Sequence, residues 1–445
     1  MRTHGRATHF GLIRADAERS EAERPGGERS DGQRDGQDRT DGAPADGQGF
    51  RPETAADPGT GSPGGPTAGA RSLRSPRDVD ADVAGAVVAT ARAVLDARVG
   101  EAAAVDTLFA RDIAARVRDF ALGGGGRTRS RLLWWGMRAC GGGTEVTDAA
   151  LRLGTALELI QTCALIHDDV MDGSPLRRGR PAVHVQLAAR AGTPPDAGFG
   201  VSAAVLAGDL ALAWADDTVA ATRLEPDTRD RVDALWRALR TEMVAGQYLD
   251  LYGQATGSRS ATHAVRTACL KSALYSVERP LALGAALAGA DGATTAALCA
   301  AGRAAGTAFQ LRDDLLGVFG DPAVTGKPSG EDVREGKPTY LVAVARDLAE
   351  AAGDRAALDL LDTAVGDRGL TEDVLDRVRV VLVRTGARDA VERRAARLAT
   401  EAERHLAAAP LAPGPARELL LLLRRAAGVG APHPPGHPAL PTTGR

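Results

Sequence analysis

Residues 165 to 181 read Leu-Ile-His-Asp-Asp-Val-Met-Asp-Gly-Ser-Pro-Leu-Arg-Arg-Gly-Arg-Pro, and a second acidic stretch, Asp313-Asp314-Leu-Leu-Gly317, follows much later. Each acidic cluster closes an apolar, Ala/Leu-rich run and contains no cation of its own. On a helix, Asp168 and Asp172 are four apart and share a face, so their charges repel unless something positive arrives. An all-oxygen ligand set of this kind suits Mg2+, which keeps several waters and bridges to substrate phosphates.

Downstream of Asp172, the glycine and proline positions end the helix and hold Arg177 and Arg178 in a turn beside the carboxylates. Arginine presents a planar fork matched to phosphate oxygens. Two readings stand at this point. Carboxylates holding metal beside arginines make a pocket for a diphosphate; alternatively, the arginines simply pair with the aspartates.

Composition points to helices. The chain has 445 residues, net charge −3 and 44% hydrophobic residues but only 3% aromatics. That is enough apolar material for a large core, and a core of Ala, Leu and Val favours close-packed helices over sheet. The near-neutral charge argues against a nucleic-acid partner. Cys140, Cys163, Cys269 and Cys299 are scattered, without the spacing of a zinc site or a disulfide framework, so a reducing compartment is expected. No apolar signal core is seen at the N-terminus and no run reads as long enough to span a bilayer, so the expectation is a cytoplasmic protein without a membrane span.

Three parts follow along the chain. Residues 1 to 77 are rich in Gly, Asp, Arg, Glu and Pro and carry no apolar period, which reads as a disordered extension. From Asp78 the pattern turns helical, with Val83, Val87, Val88, Ala91, Val94 and Leu95 at helix spacing. Residues 78 to 428 therefore read as one all-α domain, and the Pro-rich segment 429 to 445 as a disordered tail. No solenoid repeat or βαβ alternation is present.

The stretch from Leu165 through Gly179, together with Phe309-Gln310-Leu-Arg-Asp313-Asp314, resembles the all-trans polyprenyl diphosphate synthases, the farnesyl and geranylgeranyl diphosphate synthases. The resemblance continues in order through Gly208-Asp209, Gly246-Gln247-Tyr-Leu-Asp250, Lys271-Ser272, Thr325-Gly326-Lys327-Pro328 and Glu335-Gly336-Lys337-Pro-Thr339. It implies a single large helical bundle of the isoprenoid synthase type around a central cavity. It also implies Mg2+-dependent condensation of isopentenyl diphosphate with dimethylallyl, geranyl or farnesyl diphosphate, and a homodimer.

By that resemblance, Asp168 and Asp172 hold two of three Mg2+ ions and Asp313 the third, with Asp169 and Asp314 in support. Arg177, Lys271, Lys327 and Lys337 are the expected ligands of the allylic diphosphate. Gln247, Ser272 and Gln310 line that site, and Asp250 stands behind it. The isopentenyl diphosphate site falls to Arg127, Arg129, Gln161 and Arg178, around a glycine-rich loop whose backbone with interleaved cations is a reasonable phosphate cradle. The chain departs from the family in three places. Gly126 stands for a lysine, Ser130 for a proline and Gly317 for an aspartate; Arg131 and Asp321 are the candidates to compensate.

Product length depends on what lies beneath the metals. Position 164, one turn before Asp168, is Ala, and position 163 is Cys, so no aromatic ring blocks a growing chain early. With Trp214, Ile160 and Leu157 as deeper floor candidates, the expected product is C20, geranylgeranyl diphosphate. A farnesyl diphosphate synthase, a non-catalytic partner subunit and a terpene cyclase are the competing readings.

Overall fold

Alanine-rich segments with few aromatics allow helix axes to approach closely, and helices are what form. The computed structural model describes residues 75–194, 197–321 and 329–428. Helix α1 is Pro76–Ala81 and α2 is Val83–Val105. A π-helical turn, Ala110–Ala114, leads into α3, Ala115–Leu122. Then come α4 (Thr128–Ala139), α5 (Thr144–Met171), α6 (Val183–Ala191), α7 (Phe199–Ala220) and α8 (Pro226–Ala255). After α9 (Ala261–Ala268), a π-helical segment, Cys269–Glu278, leads into α10 (Arg279–Leu287) and α11 (Gly292–Phe319). The C-terminal part runs α12 (Glu331–Arg334), α13 (Tyr340–Ala352), α14 (Arg355–Ala364), α15 (Glu372–Arg384), α16 (Ala387–Ala407) and α17 (Pro413–Ala426).

Helix starts are set by local chemistry. Asp82 Oδ1 accepts from Gly85 N at 2.8 Å, Asp106 Oδ1 from Phe109 N at 2.7 Å and Asp291 Oδ1 from Thr294 N at 2.7 Å, each satisfying an orphan first-turn donor. α5 runs through the main core, packed on α7, α4 and α2, with Leu151, Leu153, Leu157, Leu159 and Ile160 almost fully buried. Truncating one such leucine to alanine costs about 2–5 kcal/mol. A smaller core, built on Leu311, Leu315, Leu341, Leu361, Leu375 and Leu382, fixes the end of α11 against α13 to α16. The main core fixes α5, which ends in the first acidic cluster, and the smaller core fixes the end of α11, which carries the second.

One sequence expectation needs correction, and two others gain detail. The folded part begins before residue 78: Ser75 caps α1, and Asp80 accepts from Trp134 Nε1 at 2.9 Å and Arg138 Nη2 at 3.0 Å. The rest of the expected extension, and the tail from 429, lie outside the described residues. Two helices, α5 and α7, are long and apolar enough to cross a membrane, contrary to expectation. The apolar window of α5 is 72% buried within the bundle, as a core helix should be, whereas that of α7 is 44% buried. The expected arginine turn takes the form of a β-hairpin. β1 (Leu176–Arg177) pairs antiparallel with β2 (Arg180–Pro181). Its two-residue loop has Arg178 at φ 53° and Gly179 at φ 73°, both in the left-handed region that such a tight turn demands.

Candidate active site

α5 delivers the first cluster at its C-terminal end. Asp169 is fully buried, Asp168 is partly buried, and Asp172 caps the helix, its N–H donating to the Asp168 carbonyl at 2.9 Å. The hairpin swings Arg177 back onto this end, with Nε donating to Asp169 Oδ1 at 2.8 Å and Nη2 to Asp168 Oδ2 at 3.3 Å. From α8, Gln247 Nε2 donates to Asp168 Oδ1 at 3.1 Å. From the π-helical segment, Lys271 Nζ lies 2.6 Å from Asp250 Oδ2 and 3.4 Å from Asp168 Oδ1. Lys337, just before α13, lies 2.8 Å from Glu335, 3.6 Å from Asp332 and 3.9 Å from Asp172. Four elements thus converge on the carboxylates of α5.

Close approach of the π-helical segment depends on two glycines. A Cβ at Gly246 of α8 would fall 2.7 Å from Lys271 N, and one at Gly306 of α11 would fall 2.6 Å from Ala273 Cα. Larger residues at these positions would push the segment away and withdraw Lys271 from Asp168.

The second cluster is arranged differently. Asp313 is exposed, whereas Asp314 is buried and accepts from Gln310 Nε2 at 2.9 Å and Tyr340 N at 3.3 Å. Gln310 Oε1 in turn accepts from Ser272 Oγ. Ser272 and Gln310, expected to line the substrate, spend these groups on each other and on Asp314. They tie the π-helical segment to the second cluster.

The glycine-rich loop divides its arginines. Arg127, at φ 49°, is buried, with Nη1 on the Ala121 carbonyl and Glu158 Oε2, both at 2.7 Å, and Nη2 on the Leu122 carbonyl at 3.2 Å. Its guanidinium faces inward and shapes the loop, contrary to its expected place among the phosphate cations. Ser130, in the family's proline position, hydrogen-bonds to Glu158 Oε1 at 2.6 Å and joins the same support. Arg129 instead lies over the Tyr275 ring, 4.5 Å from its centroid, and donates to Ser276 Oγ at 2.7 Å. Tyr275 Oη donates to Gln161 Oε1 at 2.9 Å, and Arg178 Nη1 reaches the Gly124 carbonyl at 2.8 Å. Gln161, Arg129 and Arg178 therefore stand around one loop. Lys327 lies outside the described residues.

Below Asp168, Ala164 is only half-buried, while Cys163 is buried with Sγ 3.7 Å from His167 Nδ1. His167 Nε2 is 3.1 Å from the Val205 carbonyl, so Cys163 and His167 face α7. Trp214, also on α7, is buried. Tyr275, Glu158 and Asp332 went unnoticed in the sequence. Nothing in their local spacing marks them, because each acts on a residue distant along the chain.

The electrostatics follow from burial against charge. Burial works to raise Asp168, but Lys271, Arg177 and Lys337 outweigh it and hold the carboxyl below its ordinary value. Asp169 is raised by burial, with Arg177 opposing. Asp172 is pushed up to about 6, first by burial and then by Asp168. Asp314 is pushed up to about 7 by burial, with Asp332 and Asp313 adding to it. Lys271 and Lys337 are raised despite burial, by Asp250 and Asp168 in one case and by Asp332, Glu335 and Asp172 in the other.

This donor set fits Mg2+. It is all oxygen, Asp169 Oδ2 is buried with no hydrogen-bond partner among the described residues, and burial, with neighbouring carboxylates adding to it, raises Asp172 and Asp314. Among the described residues no three such side chains converge closely enough to hold an ion by themselves. Ions here would take one or two carboxylates each and complete their shells with water and phosphate oxygen.

Comparison with known proteins agrees with this geometry. The polyprenyl synthetase family model matches residues 111–378. The chain is 34% identical to the geranylfarnesyl diphosphate synthase of Aeropyrum pernix, over 63% of this chain and 83% of that protein. It is 37% identical to a geranylgeranyl diphosphate synthase of Mycobacterium tuberculosis, over 54% of this chain and 65% of that one. Among solved structures, the geranylgeranyl pyrophosphate synthase of Corynebacterium glutamicum, complexed with isoprenyl diphosphate and magnesium, superposes with a TM-score of 0.71. The match has 36% identity and covers 77% of this chain and 97% of that one.

Proposed function

Since the chain belongs to the polyprenyl synthetase family and is a short-chain prenyltransferase, we propose that it extends an allylic diphosphate with isopentenyl diphosphate and releases a C20 product, geranylgeranyl diphosphate. The observation that carries this reading is the convergence of Arg177, Lys271 and Gln247, from three separate elements, on Asp168 directly above a half-buried Ala164.

The chemistry needs no nucleophilic side chain. The allylic carbon–oxygen bond breaks, the diphosphate takes the bonding electrons, and the cation left behind is delocalised. The double bond of isopentenyl diphosphate attacks that cation, a carbon–carbon bond forms, and loss of a proton regenerates an allylic diphosphate. Magnesium use is general in the family; ions held by Asp168, Asp172 and Asp313, three in number, would supply positive charge to the leaving diphosphate. Arg177, Lys271 and Lys337 neutralise the allylic diphosphate and Gln247 orients it. Lys327 belongs to the same set. Arg129, Arg178 and Gln161 receive the second diphosphate. Asp250 holds Lys271, and the Ser272–Gln310 pair holds Asp314.

Two further parts complete the reading. The chain works as a homodimer through the outward face of α7, where Phe199, Val201, Val205 and Leu206 are exposed, Leu206 to 61%. It works in the cytoplasm, its four cysteines free. Incubation of the purified protein with Mg2+, isopentenyl diphosphate and each allylic starter, followed by product analysis, tests the whole. A C20 product from the protein alone supports it; a cyclised hydrocarbon, or no turnover without a second chain, overturns it.

A further inference from the structure

Behind the loop that carries Lys337 lies a cavity of about 320 Å3, between the end of α8, the turn before α9, the start of α13 and the end of α14. Its volume is at the small end for ligand sites, which run from about 300 to 1,000 Å3, and no aromatic side chain lines it. A base would find no ring to stack on, and a prenyl chain little apolar wall.

Charge sets what the cavity attracts. Its wall holds three cations, Arg259, Arg346 and Lys337, against two acids, Asp362 and Glu335. Glu335 is matched by Lys337 at 2.8 Å. Asp362 Oδ1 is shared: Arg346 Nη1 donates to it from α13, and Arg259 Nη2 lies 2.8 Å away. Arg346 is only 6% exposed, and Asp362 is its one ion-pair partner among the described residues. Two guanidinium forks on a single carboxylate oxygen leave one positive charge unmatched and N–H donors to spare. Arg259, with a side chain 61% exposed, stands on the solvent side. Hydroxyls complete the wall. Ser260 Oγ accepts from His263 N at 3.2 Å and Thr339 Oγ1 from Val342 N at 3.4 Å, so each keeps an O–H to donate, and Ser258 adds a third.

We propose that this cavity is a second oxyanion site, separate from the catalytic one, which takes inorganic phosphate or diphosphate between Arg259 and Arg346 and sets the position of the Lys337 loop. The link to the catalytic site is short. Thr339 N donates to the Lys337 carbonyl at 2.8 Å, and the next amide, Tyr340 N, donates to Asp314 at 3.3 Å. The site stands on its own geometry, whereas its control of the loop rests on the proposed role of Lys337 in holding the allylic diphosphate.

Phosphate and diphosphate, titrated separately into the full chain by calorimetry in the presence of chelator, test the site. Arg259→Gln leaves Asp362 its Arg346 partner and so spares the fold; it should weaken binding of the tighter anion about tenfold or more. Arg266→Gln, at an exposed arginine outside the cavity, should leave both titrations unmoved. Tighter diphosphate identifies the co-product of the reaction as the source and tighter phosphate the free ion, and either supports the site. Identical titrations of Arg259→Gln and wild type overturn it, because the anion then sits only on the catalytic cations. Equal weakening by Arg266→Gln also overturns it, as a diffuse charge effect. Kinetics tests the link. Without added anion, Arg259→Gln should keep the kcat and KM of wild type; the tighter anion should then raise the allylic KM about fivefold more in wild type than in the variant. An equal rise in both overturns the control of the Lys337 loop. A wild-type protein without turnover would instead sink the proposed function, while the calorimetry still decides the site.

Discussion

Neutralising Asp172 should make the metal-free protein more stable. Its carboxyl is raised from 3.8 to about 6 by burial and by the neighbouring Asp168 charge, and the Lys337 ammonium 3.9 Å away only partly offsets this. An acid whose pKa rises on folding binds its proton more tightly in the folded chain. Its favourable contribution is present in full below about pH 4 and is lost as pH climbs through about 6. A shift of about two units corresponds to about 3 kcal/mol, on the order of 5 °C in Tm for a chain of this size. Asp172→Asn escapes that cost. Unfolding followed in chelator from pH 4 to 8 should show variant and wild type alike at pH 4 and the variant more stable by that margin from pH 7 upward. Mg2+ with inorganic diphosphate should then stabilise the wild type strongly and the variant weakly. A variant less stable than wild type at pH 7, or a difference that does not change with pH, would refute the account of Asp172 as a charge held for a cation.

Asp168→Ala and Asp313→Ala should each lower kcat about 10²–10³-fold while the metal-free fold persists, as steady-state kinetics and circular dichroism can check; near-normal turnover at saturating Mg2+ contradicts the ligand assignment. Arg127→Met strands Glu158 in a buried pair and should cost about 3–5 kcal/mol in denaturant unfolding. Arg129→Met should act mainly on KM for isopentenyl diphosphate, so equal behaviour of the two variants argues against dividing their roles. Ala164→Phe places a ring about 6 Å, one helical turn, from Asp168, and chromatography of the products should show a shift to C15 or shorter. An unchanged distribution from a folded variant means that the chain grows along another helix.

The hairpin and the loop arginines show where reading along the chain stops. Two arginines in a turn after an acidic helix end are visible as residues, but not their separate partners: Arg177 pairs with Asp168 and Asp169, while Arg178 crosses to the glycine loop. A one-residue step along a two-residue hairpin sends neighbouring side chains to different places, and only the left-handed backbone at Arg178 and Gly179 decides which goes where. Arg127 and Arg129 differ in the same way, two positions apart, one buried under the loop and one stacked on Tyr275.

What the sequence determined alone was local and periodic: a helical chain, two acidic helix ends, a basic turn and a glycine-rich loop with interleaved arginines, because helix period, caps and charge clusters are properties of short stretches. What the tertiary structure decided was partnership. Asp332 beside Gly317, Tyr275 beneath Arg129, Gln310 between Ser272 and Asp314, and Cys163 buried where Ala164 is only half-buried all depend on how helices far apart in the chain pack. Close packing assigns each side chain a single neighbour set, and no spacing along one strand of sequence encodes it.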